Sequence, residues 1–104
     1  MHTVERQSLT GIGPVRIGPT WAYAYWQYMY DEEDDGHHTG QRWTIRLSID
    51  DFERLDLPAY QWTWLQLPGR EPEAVFFRGS RDNPPFTVLT FERPPQTAET
   101  HATT

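Results

Sequence analysis

The stretch from Thr20 to Ile49 leaves this chain few ways to fold. Thr20 to Tyr30 is an aromatic run, Asp31 to Gly40 is a polar loop, and Gln41 to Ile49 alternates apolar with polar residues. A period of two on both sides of a turn-rich segment predicts an antiparallel hairpin with one buried face. Setting Tyr30 against Gln41 places Tyr28 across from Trp43, Trp26 from Ile45, Ala24 from Leu47 and Ala22 from Ile49. That face is apolar throughout and is expected to be core. A slip of one residue would bury Arg42 and Arg46 without partners, which costs too much.

The opposite face then collects Trp21, Tyr23, Tyr25, Gln27 and Met29 from one strand and Arg42, Thr44, Arg46 and Ser48 from the other. Tyr25 falls opposite Arg46 and Met29 opposite Arg42. Rings interleaved with guanidinium groups have the composition of an interface centre. They also suit an ordinary solvent face covered by cation–π stacking, or a platform on which a small ligand or sugar stacks. The candidate partner-binding residues are Trp21, Tyr23, Tyr25, Met29, Arg42 and Arg46.

Elsewhere the signals are shorter. Leu9 to Ile17, with Gly11, Gly13 and Pro14 inside it, predicts a strand interrupted by a bulge or bend, and Gly18-Pro19 a turn. Asp50 with Glu53 three residues later predicts a capped helical turn near 50–57, stopped by Pro58. Tyr60 to Leu67, Ala74 to Arg78 and Phe86 to Glu92 read as strands, and Gly79 to Pro85 as a loop. The expectation is an all-β domain over residues 1–95, five or six antiparallel strands in a small meander curled into a barrel or sandwich. Residues 96–104 hold little to bury and are expected to be a disordered tail.

Five consecutive carboxylates, Asp31, Glu32, Glu33, Asp34 and Asp35, form an acidic tip between the central strands. Asp31, Glu33, Asp35 and Gly36 copy the first half of a calcium loop, but Arg42 occupies the place that needs a bidentate Glu. His37 and His38 are neighbours, which on a strand point to opposite faces and chelate poorly. No metal or cofactor is expected, and a solvated tip or a docking element for a basic partner are the readings left.

The net charge is −6, and all 9 basic residues are arginine. Direct nucleic-acid binding is disfavoured, since it draws its affinity from cations that displace phosphate counterions. With 0 cysteines there is neither a disulfide nor a thiolate nucleophile. The sequence has no run of about 18 apolar residues and no leader-like start, so a cytoplasmic protein is expected. His2 and His101 lie near the ends, and Ser8, Ser48 and Ser80 lack a nucleophile-elbow context.

The function expected is non-catalytic: a small acidic protein-binding module of the adaptor, immunity or inhibitor type, or a small subunit of an assembly. Its partner would be another protein with a basic patch, or a second copy in a homodimer. The alternatives are a ligand-binding barrel, with or without catalysis, and an acidic nucleic-acid mimic that blocks a basic protein.

Overall fold

The computed structural model describes residues 5–93. The expected tail at 96–104, and the two terminal histidines, lie outside the described residues. Six strands and one short helix follow in the order β1 (Glu5–Ile17), β2 (Thr20–Glu32), β3 (His38–Ser48), α1 (Ile49–Leu55), β4 (Gln61–Gln66), β5 (Glu73–Asn83) and β6 (Phe86–Arg93). All pairings are antiparallel, and the sheet closes on itself in the order β1-β2-β3-β6-β5-β4. The chain thus makes two three-stranded meanders, with α1 on the path between them.

The central hairpin has the expected register, with Tyr28 opposite Trp43, Trp26 opposite Ile45, Tyr25 opposite Arg46 and Met29 opposite Arg42. Its apolar side points into the ring. Ala22, Ala24, Tyr28, Trp43, Ile45 and Leu47 are buried there, and Val15, Ile17, Leu65, Val75, Phe77, Leu89 and Phe91 close in from the other strands. The other expected pairs are not made: Tyr30 and Gln41 fall at a register shift, the β2–β3 pairing starts at Tyr25–Arg46 and so stops short of Ala24–Leu47 and Ala22–Ile49, and Ile49 begins the helix.

Three local expectations need correction. β1 is one unbroken strand, paired residue for residue with β2 from Glu5–Glu32 to Ile17–Thr20. Its glycines are there because other side chains occupy their space: a Cβ on Gly11 would stand 2.5 Å from the Trp26 ring, and one on Gly13 would stand 3.1 Å from Pro68. Gly18 at φ +57 followed by Pro19 makes the two-residue turn into β2.

The helix cap is Ser48, whose Oγ accepts the Asp51 N–H at 3.1 Å, rather than Asp50. The capping position comes two residues earlier than expected because Ile49 is already helical. Asp56 ends the helix in the left-handed region at φ 48.

The segment Gly79 to Asn83 is strand rather than loop. β5 shifts register between Phe77 and Gly79, where Gly79 adopts φ +140, and then pairs on to Asn83–Phe86. Only Pro84 and Pro85 remain as the turn, joined by a cis bond.

Candidate functional site

The outer side of the ring carries the residues singled out above. Trp21, Tyr23 and Tyr25 project from β2, and the facing residues of β1 are Arg16, Pro14 and Ile12. β4 joins β1 through Arg16–Gln66 and Ile17–Leu65 and adds Trp62 and Trp64 to the same side. These are large apolar groups in water: Ile12 is 64% exposed, Trp21 50%, Tyr23 65%, Trp62 59% and Trp64 60%. They form a band across β2, β1 and β4. Between the two halves of that band, Arg16, Gly18, Pro19, Trp64, Gln66 and Pro72 line a shallow apolar hollow of about 500 Å³.

The band was only half visible in the sequence. Trp62 and Trp64 flank Thr63, while Leu65 and Leu67 continue the Thr63 side, so alternation alone puts both tryptophans outward. Ile12 was hidden among glycines that look like a break in the strand.

Arg46 links the band to the next strands. Its guanidinium lies 4.9 Å from the Tyr25 ring centre and 5.0 Å from that of Phe86. Stacking on two rings holds the charge flat against the sheet.

Met29 and Arg42 do not join Trp21 and Tyr23. They line a separate groove of about 780 Å³ over β3, β6 and β5, whose other walls include Tyr60, Arg78, Arg81 and Glu92. Glu92 stands between two arginines, with Oε1 3.2 Å from Arg42 Nη2 and Oε2 3.6 Å from Arg78 Nε. Tyr60 sits at φ 61, a left-handed conformation uncommon for an aromatic residue, and its N–H donates to the Phe77 carbonyl at 2.7 Å. Arg78 also lies 5.9 Å from the centres of the Tyr60 and Phe76 rings, and Trp62 meets Phe76 edge-on at 5.6 Å.

The acidic tip is less open than its sequence implies. Asp31 pairs with Arg6 at 3.0 Å, Glu33 accepts from Thr39 Oγ1 at 2.9 Å, and Asp35 meets His37 Nδ1 at 2.6 Å. Hydrogen bonds from the His37 backbone and ring hold the Asp35 carboxyl below its usual range. Glu32 belongs to β2, and Asp34 lies in the turn closed by the Gly36 N–H to the Glu33 carbonyl at 2.9 Å. Among the described residues no three His, Cys, Asp or Glu side chains are grouped to hold a metal ion.

His38 falls at the start of β3 rather than within the loop expected for it, and its side chain stays exposed. Between Met29–Arg42 and Asp31–Thr39 the pairing shifts by one residue, leaving Gly40 and Gln41 against Tyr30 alone. Gly40 takes φ +55, and the bulge brings the exposed His38 ring to the side of β3 that carries Tyr28 and Tyr30. There its ring stacks on Tyr30 at 3.9 Å, and Tyr30 stacks on Tyr28 at 4.9 Å. Gln41 Nε2 donates to the Tyr28 hydroxyl at 2.6 Å, and His38 Nδ1 shares a hydrogen bond with the same hydroxyl at 3.2 Å. Burial pushes the Tyr28 hydroxyl above its usual pKa.

Comparison with family models, with curated proteins and with solved structures finds no match for this chain.

Proposed function

We propose that this chain is a small protein-binding module that docks through the outer face of its sheet. Trp21, Tyr23, Tyr25 and Arg46 are its centre, and Ile12, Trp62 and Trp64 extend it. The observation that carries the reading is the exposure of five large apolar side chains on one side of a ring that is already full. Trp43, Phe77, Phe91, Ile45 and Leu47 occupy the interior at 1% exposure or less. The exposed band is therefore not needed as core, and contiguous apolar surface of this kind marks interaction sites. The filled interior also favours docking on the outside over a ligand held within the sheet.

Aromatic and arginine side chains supply much of the binding energy at interface centres. The acidic tip takes a lesser part in this reading, because Asp31 and Asp35 already have cationic or imidazole partners.

A Trp21→Ala/Tyr23→Ala variant tests the reading. Self-association is followed by light scattering over a range of concentrations, and capture of a partner by affinity purification from the source cells. The variant is expected to keep its circular dichroism spectrum and to lose the dimer or the captured protein. Retention of both by the variant would sink the proposal. Loss of capture only on charge reversal at Glu32, Glu33 and Asp34 would instead favour mimicry of nucleic acid.

A further inference from the structure

We infer that the groove over β3, β6 and β5 is a second binding site, built for an acidic peptide segment whose carboxylates meet Arg42, Arg78 and Arg81. It extends the protein-binding reading but stands on its own residues, none of which belongs to the aromatic band.

Charge is the first ground. In a chain of net charge −6, this groove sets three guanidinium groups against one carboxylate, Glu92. Among the described residues the Arg81 side chain makes no hydrogen bond or ion pair. Arg42 engages Glu92 through Nη2, and Arg78 faces it through Nε at a distance too long for a hydrogen bond. The remaining N–H groups of both are available, and their side chains are about half exposed, at 49% and 51%.

Backbone geometry is the second ground. Without the bulge at Gly79, Ser80 and Asp82 would share the outer side with Arg78, and Arg81 would point into the ring. The extra residue reverses the alternation, so Arg81 faces outward opposite Val88 and joins Arg78 on the groove side. One glycine at φ +140 thus assembles the cationic wall.

The shape selects the ligand. Small molecules are held by sites that bury about 70–90% of their surface. This groove is open along its length, so it suits a segment anchored at several points. Guanidinium N–H groups take the carboxylates. Tyr60, 67% exposed, and Val88 offer an apolar contact between them.

The experiment uses fluorescence anisotropy at about 0.15 M salt. The probe is a short labelled peptide rich in glutamate with one leucine, and the control carries lysine for each glutamate. Saturable binding of the glutamate peptide alone is expected. Arg78→Ala/Arg81→Ala should weaken it about tenfold or more, the loss of charge-assisted contacts. Glu92→Gln should tighten it, since it removes the one competing carboxylate, an effect that a purely structural role would not produce. Arg81→Glu guards against a misfolded double variant, because this side chain packs on the open surface. Trp21→Ala/Tyr23→Ala should leave peptide binding unchanged, which separates this site from the aromatic band. The inference is overturned if the glutamate peptide fails to saturate, if the lysine peptide binds as well, or if the arginine variants bind like the parent.

Discussion

The guanidinium of Arg46 lies 4.9 Å above the Tyr25 ring, and the two residues are direct partners across β2 and β3. The pair sits on the outer face, where a charge keeps contact with water while covering an aromatic surface. A double-mutant cycle with Tyr25→Ala and Arg46→Ala should return a coupling of about 0.5–1 kcal/mol. Urea unfolding measures it, and a coupling indistinguishable from zero would show that the Tyr25 ring does not hold the arginine.

Gly11 is required by the ring of Trp26. A methyl at that position would meet Trp26 Cζ2 at 2.5 Å, against a side chain wedged on the core. Gly11→Ala should therefore cost about 1–3 kcal/mol of unfolding free energy. Combining it with Trp26→Leu should recover part of the loss relative to the sum of the single changes. Purely additive effects would point to backbone conformation instead.

Tyr28 makes stability fall at alkaline pH. Because burial raises its pKa in the folded state, the unfolded chain releases the phenolic proton first as pH climbs. The contribution is level below about pH 10, the ordinary tyrosine value, and declines as pH rises through the higher folded value. Stability of the parent protein should drop more steeply above pH 10 than that of Tyr28→Phe, which has no proton to lose. Near neutral pH the same substitution should cost about 1 kcal/mol, through the hydrogen bonds with Gln41 and His38.

Ser48, and not Asp50, holds the start of α1. Ser48→Ala should lower stability by about 1 kcal/mol, and Asp50→Ala by only about 0.3 kcal/mol, the size of a charge effect at a helix end. Denaturant midpoints for the two variants decide between them; equal losses would mean that the cap is shared.

Much of this architecture was legible from alternation. Tyr28, Trp43, Ile45 and Leu47 went to the core, and Trp21, Tyr23, Tyr25 and Arg46 to water, because a strand of period two sorts its residues before any partner is known. The band lost Ile12 and both outer tryptophans of β4 in that reading. Only the β1–β4 pairing that closes the sheet brings Trp62 and Trp64 beside Trp21.

Alternation along the chain is enough to set the two faces of the central hairpin, its register from Tyr25–Arg46 to Met29–Arg42, and the all-β class. Tertiary structure decided where that alternation is interrupted. The bulges at Gly40 and Gly79 each insert one residue and exchange the two faces beyond them, setting His38 onto Tyr30 and Arg81 outward beside Arg78. A glycine admits positive and negative φ about equally, so its letter does not say which one is used. The neighbouring strands make that choice through the hydrogen bonds and packing they offer.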